Sequence, residues 1–329
     1  MKKNVTISDV AEQAGVSKTT VSRYLNGRFG NMSKETKERI KEVIAEMNYR
    51  PSKQAQALKS KRSYLIGIVV ADISNMYSSL LLKGIGEVLG KAGYQMIIMD
   101  AANSIEQERE LLDRLIDQSV EGVILQALSR DAHHYDHLKK ANIPLVLVDR
   151  DVEPSIFPLV TTDNVTATKK IAEEILSKNY EQVVVVSEPL KDVITRELRY
   201  EAVKEVVIAA KRKLTLIEAT AETNLSERIS ELIASPLKTA LFASNGRVLM
   251  ELLTILVNEQ VPIPEDIGIT GYDDWNLSAL VGPGITSIEQ QTKVIGEEAA
   301  NTMLECLKAG AYPVETKTIP AIIQLRKSL

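Results

Sequence analysis

The sequence predicts an N-terminal all-α helix-turn-helix head followed by a larger α/β body of parallel sheets in two lobes. Three observations predict it. Short amphipathic helices, each behind a capping residue, fill the first fifty positions. From Tyr64 onward, apolar strand-like runs alternate with helix-patterned segments. Charge divides at the same place: residues 1–62 hold 14 Lys and Arg against 6 Asp and Glu, a balance of +8, and the remainder, 26 against 38, carries −12. A basic module on an acidic body points to a polyanionic partner for the module, nucleic acid first.

Taken in order, Thr6 can cap "ISDVAEQA", with Asp9 placed for a capping box. Ile7, Val10, Ala11 and Ala14 then fall on one helical face, and Gly15 ends it. Ser17 can cap "KTTVSRYL", whose buried stripe is Val21, Tyr24 and Leu25 and whose stop is Asn26-Gly27. Ser33 can cap a third helix with Ile40, Val43, Ile44 and Met47 on its apolar face. After Pro51, "SKQAQALKSKR" reads as a short helix with a basic tail. The body opens on "YLIGIVV", a continuous apolar run typical of a strand buried on both faces. Similar runs are "YQMIIMD", "EGVILQA", "IPLVLVD", "QVVVVS", "TALFAS" and "DIGITGYD". Helical patterning covers 78–92, 105–118, 131–141, 165–178, 197–211, 226–234 and 246–259. These strands exceed what one doubly wound sheet usually holds, so two α/β lobes are expected, with ligands outside the carboxyl ends of the strands.

Composition narrows the function. The apolar fraction of 44% and charged fraction of 26% are those of a globular protein. No apolar stretch is long enough for a transmembrane helix, and no apolar leader follows Lys2 and Lys3; a cytoplasmic location without membrane association is expected. The one cysteine, Cys306, excludes an internal disulfide and reads as a small core residue. All three histidines lie in "HHYDH". His133 and His137, four residues apart, are compatible with a metal but read better as a solvated helix start, and no metal site is expected. No Ser-His-Asp or Cys-His site can form away from that window. "GIGEVLG" is not a dinucleotide fingerprint, "GKAG" is not a phosphate loop, and no cofactor is implied.

The basic helix is the chemistry-bearing motif. In a helix-turn-helix the N-terminal residues of the second helix enter the major groove. Lys18 and Thr19 stand at that end, and Arg23 reaches from the same face. Lys and Arg pair with guanine O6 and N7, and Thr donates, accepts or touches a thymine methyl. Thr6, Ser17, Thr20 and Ser22 suit phosphates or caps, and Asn26 closes the set of candidate DNA contacts.

The segments "VTISDVAEQAGVSKTTVSRYLNG", "KERIKEVIAEMNYRPSKQAQALKS" and "IGIVVADISNMY" resemble the lactose/galactose-repressor (LacI/GalR) family of bacterial transcription regulators. The likeness continues through "GVILQA", "IPLVLVDR", "ALFASN", "VPIPEDIGITGYDD" and "ITSIEQQTKVIGEEAA", essentially the whole chain. It implies a helix-turn-helix domain over 1–50, a hinge helix over 51–62, and a periplasmic-binding-protein-like effector domain over 63–329. The N-lobe would take about 63–162 and 293–320, and the C-lobe about 163–289 and 321–329. It also implies a homodimer on double-stranded operator DNA. Lys18, Thr19 and Arg23 occupy the family's base-reading positions, and Leu58 matches the leucine wedged into the operator's centre, where an apolar side chain kinks the duplex. Gln56 stands where the family commonly has Arg, and "NGRFGNM" is about a residue longer than usual.

The resemblance also carries an effector site: Asp72, Asn75 and Tyr77 after the first strand, Asp149 and Arg150 after the fourth, Arg196 and Arg199 in "TRELRYEAV", then Asn245, Asp273 and Gln290. Trp275, the only tryptophan, follows "GYDD" and could give a ring face to a polyhydroxylated ligand. Gly246 replaces an Asp common in the family, and Ser78 a frequent second aromatic, so ligand identity does not transfer. Arg150, Arg196 and Arg199 could pair with a carboxylate or phosphate, which leaves a sugar, sugar acid or sugar phosphate as effector. The expected function is a repressor of carbohydrate-metabolism genes, released from a near-palindromic operator by that effector. The rival readings are a regulator needing a co-repressor, a solute-binding receptor with the same two-lobed body, and a sugar-modifying enzyme. No base–nucleophile pair supports the last.

Overall fold

A computed structural model describes residues 5–30, 32–50, 62–191, 193–273, 275–310 and 314–329. The chain divides into two compact units, 1–64 and 65–329.

The first unit holds α1 (Ile7–Gln13), α2 (Lys18–Leu25) and α3 (Lys34–Glu46). Each starts where a hydroxyl can take an otherwise unpaired backbone N–H. Thr6 and Asp9 form a reciprocal capping box, and the Ser17 and Ser33 side chains accept from the N–H groups of Thr20 and Thr36. Gly15 supplies the positive φ of the tight turn between α1 and α2. The three helices bury Val10, Ala11, Ala14, Val21, Ile40 and Val43 in one small core. The hinge helix expected over 51–62, with Gln56 and Leu58, falls outside the described residues except for Arg62.

The second unit contains two six-stranded sheets. In the N-lobe, β1 (Leu65–Val70), β2 (Gln95–Asp100), β3 (Gly122–Leu125), β4 (Leu145–Val148), β5 (Leu159–Thr162) and β11 (Thr316–Ile319) run parallel in the order β11-β5-β4-β3-β1-β2. The C-lobe sheet has the order β12-β10-β9-β8-β6-β7. Its strands are β6 (Gln182–Ser187), β7 (Lys213–Glu218), β8 (Thr239–Ala243), β9 (Gly268–Tyr272), β10 (Thr286–Glu289) and β12 (Ile322–Gln324). All its pairings are parallel except β12 against β10.

Each sheet is covered on both faces. In the N-lobe, α5 (Ile105–Asp117) and α6 (Asp136–Lys140) cover a core around Leu112, Leu115, Val123 and Tyr135. On its other face α4 (Met76–Lys91) and α11 (Thr292–Ala309) enclose Leu81, Ile85, Ile295, Met303 and the buried Cys306. In the C-lobe, α9 (Leu225–Ile233) and α10 (Gly246–Asn258) lie over one face, and α7 (Asn164–Ser177) and α8 (Ile194–Ala209) over the other. Both-face burial explains the apolar runs: in β1, Ile66, Ile68 and Val70 enter one core and Val69 the other. The chain crosses between lobes after β5, after β10 and after β11, so three short segments tie them at one edge.

Five strands and one helix lacked a strong sequence pattern. β7 and β11 are edge strands with mostly exposed or half-buried residues; β5, β10 and β12 are only three or four residues long. Helix α11 packs on α4 through Gly296, Ala299 and Ala300, and such small residues give a faint apolar stripe. The histidine window is also less solvated than expected. His133 is exposed, but the His134 and His137 Nε2 atoms are buried without a hydrogen-bond partner, and burial lowers both imidazole pKa values. Among the described residues no group of three His, Cys, Asp or Glu could hold a metal.

Candidate functional site

In the head, α2 presents Lys18, Thr19 and Arg23 to solvent while Val21 is fully buried beneath them. One helix therefore anchors on one side and offers two cations and a hydroxyl on the other. The remaining hydroxyls are partly engaged. Thr6 Oγ1 donates to Asp9 Oδ2 at 2.8 Å, and Ser17 Oγ lies 2.9 Å from Thr20 Oγ1. Asn26 Nδ2 donates to the Ser22 carbonyl at 2.7 Å, closing the helix. In the long loop that follows, the Phe29 ring packs edge-on to Tyr24, and Lys37 Nζ stands 4.0 Å over its centre. Leu58 lies outside the described residues.

In the body, a polar cleft opens between the lobes at the carboxyl ends of the strands. Asp72, Asn75, Tyr77, Asp149, Arg150, Arg196, Arg199, Asn245, Asp273 and Gln290 all line it. Two of these are also helix N-caps: Asn75 Oδ1 accepts from Tyr77 N–H, and Asn245 Oδ1 from Val248 N–H, each at 3.0 Å. Helices α4 and α10 thus start at the cleft, and their N-terminal dipoles favour negative charge there. Asp149 and Asp273 take left-handed φ values of 67° and 69° immediately beyond β4 and β9. That conformation is costly for a residue with a Cβ and is typical of functional sites.

Trp275 is not among the cleft-lining residues. Its ring rests on Gly246 and faces a neighbouring hollow with Leu80, Asn276 and Val294. This accounts for the glycine: a Cβ at position 246 would overlap the indole and the Asp273 side chain, whereas its N–H donates to Asp273 Oδ2 at 3.0 Å. Ser78, also unusual by resemblance, is buried and donates to the Asp72 carbonyl at 2.7 Å.

Four arginines and four carboxylates line the cleft among the described residues, and most are paired. Arg199 is buried, and each of its three nitrogens donates one hydrogen bond. It donates to Asn164 Oδ1 (2.8 Å), the Ser244 carbonyl (2.6 Å) and Gln290 Oε1 (3.3 Å), and its guanidinium stacks on Tyr272 at 3.6 Å. Gln290 Nε2 in turn donates to Asp273 Oδ1 at 2.6 Å. Burial raises the Asp273 pKa against the pull of Arg199. Arg196 pairs with Glu188 at 2.5 Å, and burial lowers its pKa despite that partner. Arg247 pairs with Asp72. There burial acts upward on the carboxyl, but hydrogen bonds from Ser74 and Arg247 outweigh it and hold the pKa below the ordinary value. Asp149 accepts from Gln126 Nε2 at 2.9 Å.

Two groups are left over. Arg150 Nε lies 3.6 Å from Asp149 Oδ2, beyond hydrogen-bond reach, and Arg150 Nη1 makes only a 3.5 Å contact to the Ala127 carbonyl. Arg150 Nε and the Tyr77 hydroxyl are both buried without a hydrogen-bond partner. Buried polar atoms are normally satisfied by protein or by water, and these two have no protein partner.

Sequence reasoning missed Gln126, Glu188 and Arg247, which also line the cleft. Gln126 directly follows β3, Glu188 directly follows β6, and Arg247 opens α10 just after β8. The rule that ligands meet the carboxyl ends of parallel strands would have found all three.

Comparison with known proteins matches residues 6–52 to the model for bacterial regulatory proteins of the lacI family, and residues 172–329 to a periplasmic binding protein-like domain. The HTH-type transcriptional regulator KdgR of Bacillus subtilis (strain 168) is 37% identical over 99% of this chain and 98% of its own. A ribose operon repressor of Halalkalibacterium halodurans is 30% identical over 98% of this chain and 96% of its own. In fold, the chain matches a lac repressor dimer bound to operator and the anti-inducer ONPF, with a TM-score of 0.86 at 23% identity and 99% coverage of both chains.

Proposed function

The chain belongs to the lacI family of bacterial regulatory proteins and is a DNA-binding transcriptional regulator; from that premise we propose that it represses carbohydrate-metabolism genes and that a sugar acid in the cleft releases it from its operator. The family is one of regulators rather than enzymes. The reading takes the repressor role from the ribose operon repressor, and the homodimer on operator from the lac repressor. Two copies of α2 then enter successive major grooves of a near-palindrome. Lys18, Thr19 and Arg23 meet base edges, while Thr6, Ser17, Thr20, Ser22 and Asn26 meet phosphates or hold the helix ends. Leu58 acts as the wedge at the centre.

The choice of a sugar acid rests on one observation: Arg150 Nε and the Tyr77 hydroxyl are buried donors without acceptors in an otherwise paired cleft. A carboxylate satisfies an arginine better than a neutral hydroxyl, through a charge-assisted hydrogen bond. The amides of Asn75, Asn245 and Gln290 and the carboxylates of Asp149 and Asp273 suit the hydroxyls of the same molecule. Closure of the lobes on the ligand and binding of operator then oppose each other reciprocally.

The test is calorimetric titration of the full-length protein with aldonic and uronic acids and their neutral parent sugars. An acid is expected to bind, and its neutral parent to bind at least roughly tenfold more weakly, the weight of one charge-assisted pair. Arg150→Ala should narrow that gap. Equal binding of acid and parent sugar, or a gap unchanged in Arg150→Ala, would overturn the assignment.

A further inference from the structure

Among the described residues, two ion pairs bridge the lobes of the effector body. One, Asp72 with Arg247, is part of the cleft lining. The other is not. Arg130, in the loop after β3, reaches from the N-lobe to Glu197 in the first turn of α8 in the C-lobe. Its Nη1 lies 2.8 and 2.9 Å from the two Glu197 carboxylate oxygens. Neither residue touches the cleft interior.

The arginine is positioned by its own lobe before it reaches across. Its Nη2 donates to Glu153 Oε1 at 3.1 Å. Two backbone bonds join the same segments: Glu153 N–H to the Arg130 carbonyl at 2.6 Å, and Ala132 N–H to the Glu153 carbonyl at 3.0 Å. The Arg130 and Glu197 side chains remain 32% and 38% exposed. An ion pair so exposed to solvent is weak and screened by salt, so it can open and close reversibly. A weak bond that forms only when the lobes meet biases the population of the closed form.

We propose that Arg130 and Glu197 are positioning residues of this regulator. Their ion pair is a clasp that sets how much of the effector body is closed before any ligand enters, and thereby the affinity with which ligand is then held. The second half rests on the reading that lobe closure carries the response; the first does not. Glu153 provides an internal control, since it pairs with the same arginine but from the same lobe.

The experiment measures interlobe distance in the full-length protein without DNA or effector. Spin labels are placed on one exposed position in each lobe, in a Cys306→Ala background, and distances are read by pulsed electron–electron resonance. The wild type should show a short-distance population. Glu197→Gln should reduce its ratio to the longer distances by roughly two- to fivefold, the weight of an exposed ion pair. Raising NaCl from about 0.05 to about 0.5 M should shift the wild type the same way and Glu197→Gln less, since of the two pairs only Asp72–Arg247 then remains across the lobes. Glu153→Gln, whose amide oxygen can still accept from Arg130, should shift the distribution clearly less than Glu197→Gln does. Identical distributions in wild type and Glu197→Gln, or an equal shift in Glu153→Gln, would overturn the clasp. Failure of the sugar-acid reading would leave this result standing, because the sample contains no ligand.

Discussion

At the residue scale, Glu108 shows how burial alone can tune a group. Its carboxylate is completely enclosed, accepting from Leu128 N–H at 2.8 Å and from the Tyr135 hydroxyl at 2.9 Å. Burial raises its pKa to about 7, against the lowering effect of those hydrogen bonds. A carboxyl whose folded pKa lies above its unfolded value favours the folded state most below the unfolded value. That contribution is lost as pH rises toward 7. Glu108→Gln removes the charge and keeps both partners, because an amide accepts from Leu128 and donates to Tyr135. The difference in stability between variant and wild type should be smallest near pH 4.5 and grow in the variant's favour up to pH 8, by at most about 3 kcal/mol. Urea denaturation at a series of pH values measures it, and a difference that does not vary with pH would contradict it. Residues such as this are hard to read from sequence, because Glu108 sits at a polar-looking position in a charged helix. The places of Arg150 and Asp273 at the cleft were legible from their motifs. The role of Gly246 was not: only the structure places the Trp275 ring where a Cβ would go.

At the scale of elements, the head was legible almost to the residue. Capping hydroxyls, a three-four apolar spacing and a glycine turn each leave a local mark, and Ser17, Val21 and Asn26 do what those marks imply. The buried central strands were equally plain, since both faces are apolar. The edge strands β7 and β11 were not, because half their residues meet solvent and no run forms. The exposed face of α2 carries a prediction of its own. Arg23→Ala should lower discrimination between operator and random duplex by about 1–3 kcal/mol, while the salt dependence of binding changes by about one ion or less. Competition binding at several salt concentrations separates the two. Equal loss on all sequences would make Arg23 a phosphate contact instead.

At the scale of the molecule, the two units divide the work by charge. The +8 segment supplies the electrostatic attraction to DNA, and the −12 remainder does not compete for it. The sheet order and the three lobe crossings bring the carboxyl ends of β1, β2, β3, β4, β6, β8, β9 and β10 to one cleft, so a small molecule bound there touches both lobes at once. Most charged groups of the cleft are already held within it: Arg196 pairs with Glu188, Arg247 with Asp72, and Gln290 holds Asp273. The chain's membership of a family of regulators agrees with this division. The central claim is that the cleft's ligand and the operator are antagonists. It is tested most directly by fluorescence anisotropy of a labelled duplex, selected by the full-length protein from random sequences, titrated with and without the tightest-binding sugar acid. The account predicts an operator affinity at least roughly tenfold weaker with the acid present, the scale of ordinary allosteric coupling. Unchanged or tighter binding in the presence of the acid would contradict it.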